Sequence, residues 1–149
     1  MQAIKSVAFG VLLVAFSSAF ADSICEQKAK TRDDFLTCTD VDTDKTISKA
    51  KKLYESIRQN TKGEKQVALD ANFQIWKDKF KSDCSVVAFA FNEWGDGYMP
   101  DTDFQVAACR SKIASQELDF YKWLACPDDM ETSSVPKCAA IKKILGENK

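Results

Sequence analysis

The chain has 149 residues, with 21 basic and 22 acidic side chains and no histidine. This balance gives no electrostatic case for nucleic-acid binding. The lack of histidine excludes Ser-His-Asp and Cys-His catalysis and histidine metal ligation. We therefore predict a binding protein rather than an enzyme, with no cofactor and no metal site.

The first 21 residues are predicted to be a secretory signal. Lys5 is their only charge, residues 7–16 are apolar, and residues 17–21 form a cleavage region with alanine at its end. The apolar run is too short to span a bilayer, and no later segment is long and uncharged enough to do so. We expect cleavage after Ala21, no membrane span, and a periplasmic or secreted protein that forms one domain from residue 22 to 149.

Six cysteines lie in the predicted mature region: Cys25, Cys38, Cys84, Cys109, Cys126 and Cys138. An even number in a small exported domain predicts disulfides, although many pairings are open in principle. Pairing of neighbours (25–38, 84–109 and 126–138) is favoured because each bridge closes a short segment. The first pair requires a helix that begins only near Thr31, since on one unbroken helix Cys25 and Cys38 would lie about 20 Å apart.

Apolar residues recur at helical spacing along most of the chain. Thr31 and Asp34 form a candidate N-terminal cap. A separate short amphipathic helix is predicted to begin near Thr43 or Asp44 and to end before Gly63. The next helix is long, from about residue 65 to 91, and the two are expected to form an antiparallel hairpin.

The segment from Asn92 to Asp101 holds two glycines and a proline and is predicted to be a loop. Thr102 and Gln105 then resemble a capping box, which opens a helix to about residue 125. A polar loop and a last short helix form a bridged C-terminal extension, from about residue 126 to 149. The predicted fold is all-α, a small bundle of four to five helices stabilised by disulfides.

Two acidic clusters suggest other chemistry. Residues 40–47 imitate the start of an EF-hand loop, but Lys45 replaces the glycine and Lys51 replaces the last ligand. The favoured interpretation is an acidic segment that leads into the N-terminus of a helix, and a calcium-responsive module is kept as the alternative. Acids in and beside the predicted loop could be paired for glycoside hydrolysis, but a solvated acidic loop is the favoured interpretation. The aromatic stripe of Phe73, Trp76 and Phe80 is predicted to be core.

The candidate partner-binding residues lie in the predicted loop and just after it. They are aromatic, sulfur-containing or acidic side chains between two cysteines that are predicted to be bridged: Trp94, Asp96, Tyr98, Met99, Asp101 and Asp103. Aromatic side chains make good interface anchors, a tethered loop loses less entropy on binding, and acids favour a basic partner. The sequence leaves open whether Trp94 is such an anchor or packs back on the helices.

Several of these features together resemble the LprI-type lysozyme-inhibitor family. The N-terminal motif of that family resembles Cys25-x3-Ala-x-Thr-x2-Asp-x3-Cys38, and its central motif resembles the series from Leu69 through Trp76 to Cys84. Departures are present: Gln74 and Phe80 each lie one position from the family pattern, and Lys81 replaces the usual Arg.

This resemblance implies an exported binding protein that inhibits a basic cell-wall hydrolase, such as a c-type lysozyme, by occlusion. The alternative is an envelope protein-interaction module, either an immunity or an accessory protein, with no lysozyme target.

Overall fold

The computed structural model describes residues 24–126, 141 and 143–146. The predicted signal, its cleavage site and Cys138 lie outside these residues. All regular structure in the described part of the chain is helical, and it includes four helices: α1 (Ile24–Lys28), α2 (Arg32–Gln59), α3 (Glu64–Phe91) and α4 (Thr102–Ala125). Ile141 and residues 143–145 are also helical. The predicted all-α fold is confirmed. None of the described helices is both long and apolar enough to cross a membrane.

Helix α2 begins at the predicted cap. Thr31 Oγ1 accepts a hydrogen bond from the Asp34 amide at 3.2 Å, and the Asp34 carboxylate accepts one from the Thr31 amide at 2.9 Å. Hydrogen bonds from the Lys30 and Thr31 amides to the Asp34 carboxylate lower the pKa of this group. The arrangement is a complete capping box, so the chain can turn sharply before the helix begins.

The prediction of two separate segments between Thr31 and Ile57 is wrong, because α2 is one helix of 28 residues. No glycine or proline interrupts it, and two acids of the segment that imitates an EF-hand loop have partners within or across helices. Asp40 pairs with Arg110 of α4 at 3.0 Å, and Asp42 pairs with Lys45 at 2.8 Å. The segment that imitates an EF-hand loop is therefore helical.

The predicted capping box at Thr102 is also wrong. Asp101 occupies the N-cap position of α4 and makes no side-chain cap. Thr102 is the first helical residue, is buried, and donates its hydroxyl to Asn92 Oδ1 at 2.7 Å. The Thr102 hydroxyl donates across the loop to Asn92 instead of accepting from the Gln105 amide, as the sequence pattern suggested.

Two of the three favoured disulfides are confirmed. Cys25 and Cys38 are bridged with Cα atoms 5.6 Å apart, because α1 and the turn after it fold back along α2. Cys84 of α3 and Cys109 of α4 are bridged at the same Cα separation of 5.6 Å. Cys126 is also disulfide-bonded; its predicted pairing with Cys138 lies outside the described residues.

Helices α2 and α4 run in the same direction, since Arg32 pairs with Asp103 near the start of both helices and Asp40 pairs with Arg110 further along. Their shared core is completed by the C-terminal segment, and its buried residues are Ala50, Leu53, Leu118, Tyr121, Ile141 and Leu145. Helix α3 runs the opposite way and packs on α4 in a second cluster of Trp76, Cys84 and Ile113.

Helices α2 and α3 form the predicted hairpin around Gly63, whose φ of +61° is one that glycine adopts without strain. Near the turn the Tyr54 ring stacks on Phe73 with centroids 4.1 Å apart. Phe73 is half-buried, as is Phe80 two turns later, and both line an open groove of about 390 Å³ between the two helices. The aromatic stripe is therefore core at Trp76, which is buried, and partly groove wall at its two neighbours.

Candidate functional site

The candidate site is the loop Asn92–Asp101, which joins the C-terminus of α3 to the N-terminus of α4. The Cys84–Cys109 disulfide holds these two helices together, about two turns from the loop on each side. The predicted loop and its tether are thus both present, and the loop can move only as far as two cross-linked helices allow.

Asn92 closes the base of this loop. Its Oδ1 atom accepts hydrogen bonds from the Met99 amide at 3.0 Å and from the Thr102 hydroxyl at 2.7 Å. One side chain therefore satisfies a backbone donor near the end of the loop and a buried hydroxyl at the start of α4. Each bond fixes a position that the chain alone would leave free.

Arg32 of α2 secures the second half of the loop. Its Nη2 atom donates to Tyr98 Oη at 2.8 Å, to the Pro100 carbonyl at 3.0 Å and to the Asp103 carboxylate. Its guanidinium also lies 5.4 Å from the centre of the Phe104 ring. A single cation thus connects α2, the loop and α4.

Tyr98 and Asp103, two of the predicted partner contacts, are engaged in this internal network. Tyr98 donates its hydroxyl to Asp103 Oδ2 at 2.6 Å. The hydrogen bonds from Tyr98 and Arg32 lower the pKa of Asp103, and the bond to Asp103 raises the pKa of Tyr98. Asp103 is therefore an ionised acceptor rather than a proton donor, while the Tyr98 ring stays mostly exposed.

Trp94 projects into solvent, with 71% of its surface exposed. It does not pack back on the helices, and its role as an interface anchor stays a prediction. Glu93 and Trp94 have φ values of 55° and 58°, in a left-handed region that costs non-glycine residues roughly 1–2 kcal/mol each. The Trp94 amide donates to the Phe89 carbonyl at 2.8 Å, which holds the turn in this conformation.

The remaining acids give the loop a negative surface. Glu93, Asp96 and Asp101 are all exposed, and they form no ion pair with any described residue. Arg32 is the basic residue bonded to the loop, and its charge is matched by Asp103. An unneutralised acidic surface beside an exposed indole can attract and then contact a basic protein.

Three residues that position this site were not predicted from sequence: Arg32, Asn92 and Phe89. Arg32 lies 66 residues before Tyr98, and no local pattern links the two. Asn92 was identified only as the start of the loop. The Phe89 carbonyl acts through the backbone, which carries no sequence signal. No group of three or more Cys, Asp or Glu side chains in the described part of the chain is arranged to hold a metal ion.

Comparison with known proteins finds no matching family model, no matching curated protein and no matching solved structure. The resemblance to the LprI-type family therefore stays a prediction from motifs.

Proposed function

We propose that this protein is an exported, lysozyme-inhibitor-like binding protein that occludes the cleft of a basic cell-wall hydrolase with the loop Asn92–Asp101. The observation that carries this proposal is Trp94, a large side chain exposed on a loop that is fixed at both ends. The motif resemblance at Cys25–Cys38 and at Leu69–Cys84 supports the target class.

The first feature that supports binding is the rigidity of the loop. Binding of a flexible loop costs conformational entropy for each side chain that becomes ordered. Here the disulfide, Asn92 and Arg32 fix the loop before any partner arrives. Tryptophan is also among the residues that most often supply a large share of interface energy. A fixed loop with an exposed indole therefore has the properties of a preformed binding element.

The second feature is charge. Lysozymes of the c-type are strongly basic and carry two carboxyl groups in their cleft. Exposed acids of the loop would attract the basic rim and speed association, but would repel the cleft carboxylates at close range. We infer that Trp94 and Met99 enter the cleft, while Asp96 and Asp101 meet the rim. Tyr98 contributes mainly by holding the loop through Arg32 and Asp103.

The experiment is the rate of cell-wall clearing by a c-type lysozyme at increasing concentrations of the purified, oxidised protein. We expect stoichiometric inhibition. Trp94→Ala should weaken it by about 30-fold, the effect of an interface residue worth about 2 kcal/mol. Trp123→Ala is the matched control, because Trp123 is also exposed (58%) but lies near the far end of α4.

A second pair of variants tests the charge argument. Asp96→Lys should slow association and make it less sensitive to salt. Asp119→Lys makes the same charge change at an exposed site on α4, about 25 Å along the helix from the loop, and should have a smaller effect. Equal effects of both substitutions would contradict a specific acidic contact at the loop.

Absence of inhibition by a protein with native circular dichroism and intact disulfides would refute the lysozyme target. That result would favour the alternative, an envelope protein-interaction module of the immunity or accessory class, and Trp94→Ala would then be the variant with which to validate any partner found.

A further inference from the structure

Helix α3 is apolar on two opposite faces. Its inner face, which includes Trp76 and Cys84, packs against α4. On its outer face four large apolar residues stay exposed: Val67 (69%), Ile75 (65%), Val86 (50%) and Phe89 (57%). With 100° between successive residues, these four lie within about 100° of arc around the helix. A helix that is apolar on both sides normally has a partner on both sides.

The outer face of α3 is complementary to a second copy of itself when the two helices run antiparallel about a two-fold axis between Asp78 and Lys79. In that register a residue of one copy faces the residue of the second copy that lies equally far from the axis on the other side of it. Val67 then faces Ala90 of the second copy, and Phe89 faces Ala68. Every large residue so far meets a small one, which lets the side chains interdigitate.

The same register holds nearer the axis. Val86 faces Ala71 of the second copy, and Ile75 faces Ser82; Ala71 and Ser82 are both exposed. The four large residues are thus each opposed by alanine or serine along the whole face. Nothing in the packing of one copy requires this pattern, because none of these side chains belongs to either core cluster.

Charges at the axis match as well. Asp78 faces Lys79 of the second copy, and the symmetry repeats the pair, so two opposite-charge contacts form at the centre. Within one copy Lys79 pairs with Asp83 and Asp78 accepts from Gln74. These are exposed contacts along one helix, which contribute little and leave both groups able to reach across.

A parallel pairing is disfavoured by the same residues. It would place Asp78 beside Asp78 and Phe89 beside Phe89, so that like charges meet and the bulky side chains coincide. We propose that the outer face of α3 is a homodimer interface in which two copies pair as antiparallel helices about an axis between Asp78 and Lys79. This inference is independent of the proposed function.

The size of the face predicts a weak dimer. From Val67 to Ala90 the strip is about 35 Å long and about 10 Å wide, so the two copies together bury roughly 700 Å², below the range of about 1,200–2,000 Å² for stable interfaces. We therefore expect a dissociation constant on the order of 1 μM or weaker. Sedimentation velocity over a wide concentration series of the oxidised protein should show a monomer–dimer equilibrium.

Substitutions on the face should shift that equilibrium. Ile75→Glu should leave only monomer at every concentration, whereas Val41→Glu, at an exposed apolar site on α2, should not. Lys79→Glu should weaken the dimer because it places two acids together. The double variant Asp78→Lys with Lys79→Glu restores opposite charges across the axis and should dimerise again. A folded wild-type protein that stays monomeric, or a dimer that Ile75→Glu leaves unchanged, would overturn the proposal.

Cross-linking tests the register. Asp78→Cys places a thiol next to its own symmetry mate, so a short bismaleimide should join two copies efficiently. Ala71→Cys lies on the same face but about 22 Å from its mate in the antiparallel pair, and should cross-link poorly. Equal cross-linking of both variants would contradict the antiparallel arrangement. None of these variants changes the loop Asn92–Asp101, so failure here and failure of lysozyme inhibition can be told apart.

Discussion

The carboxyl group of Glu117 provides the sharpest test of how the bundle is held together. Only 9% of this residue is exposed, and its Oε1 atom has no hydrogen-bond partner among the described residues. Burial raises the pKa of Glu117, and a hydrogen bond with Tyr121 opposes that shift only in part. The Tyr121 hydroxyl has a single hydrogen, and it donates this hydrogen to Asn72 Oδ1 at 3.3 Å. Glu117 is therefore a polar group that the α4 packing holds away from water at a cost in stability.

The sign of the pH dependence follows from the raised pKa. The folded protein holds the Glu117 proton more tightly than the unfolded chain does, so the free energy of unfolding falls as the pH rises above about 4.5 and through the folded-state pKa. The loss is complete once the pH is well above the folded-state pKa. Below pH 4.5 the carboxyl is neutral in both states and this contribution to the pH dependence disappears.

Glu117→Leu removes both the charge and the unpaired oxygen at similar volume. We expect it to raise the free energy of unfolding by about 1–3 kcal/mol at neutral pH, the cost of a buried polar atom without a partner, and by less in acid. Glu117→Gln should also abolish the pH-dependent part, with a smaller gain because its amide stays polar.

The assay is urea unfolding followed by circular dichroism, with the disulfides intact, on either side of the titration. Other carboxylates also titrate in this range, so the informative quantity is the difference between wild type and variant at each pH. If Glu117→Leu lowers stability by the same amount at both pH values, Glu117 has a stabilising partner and the reasoning above is refuted.

Three further predictions concern the core, the tether and the network around the loop. Leu53→Ala removes a side chain that is 0% exposed and should lower the urea unfolding free energy by about 2–5 kcal/mol; a loss below about 1 kcal/mol would contradict its place in the core. Replacement of both Cys84 and Cys109 by serine opens a 25-residue separation and should cost about 3.5 kcal/mol in the same assay, unless the reduced chain keeps the two helices together. Arg32→Gln should speed proteolysis within the loop, as seen by mass spectrometry. Arg58→Gln is the control, because Arg58 pairs with Asp70 near the opposite end of α2, and it should leave cleavage of the loop unchanged. Equal cleavage of the two variants would show that Arg32 does not secure the loop.

Local patterns were sufficient for most of the fold. The apolar spacing predicted a helix from about residue 65 to 91, and α3 runs from Glu64 to Phe91. The cap at Thr31 predicted where α2 begins, and that boundary made the Cys25–Cys38 bridge feasible. Helical periodicity, capping and short disulfide loops all depend on residues close in sequence, so each can be recognised without knowledge of tertiary structure.

The wrong predictions have long-range causes. Asp40 was expected to lie before a helix, because acids are favoured at N-termini; its pairing with Arg110, 70 residues away, makes it acceptable in the middle of one. Thr102 was expected to cap α4, but it bonds to Asn92 across the loop. In both cases a distant partner satisfies a group whose nearest neighbours suggested another role.

The sequence located the candidate site but did not show which of its residues hold the loop and which are exposed. Composition identified the loop and its acids, yet the exposure of Trp94 depends on two consecutive left-handed residues that no glycine signals. Tyr98 and Asp103 were predicted as partner contacts, and whether they also touch a partner is untested. The structure gives them a role inside the protein, through Arg32. A charged or aromatic loop residue can hold the loop or bind a partner, and its identity alone does not separate these uses.

This division of roles constrains how the loop could bind. Restraints reach it from the Cys84–Cys109 bridge, from Asn92 and from Arg32 of α2, and each acts on a different part. A solvated connection between two helices requires fewer restraints than these three. The left-handed turn at Glu93 and Trp94 is held separately, by the hydrogen bond from the Trp94 amide to the Phe89 carbonyl. Residues that hold the loop should therefore affect binding indirectly, through its rigidity, whereas Trp94, Met99 and the unpaired acids should affect it by contact.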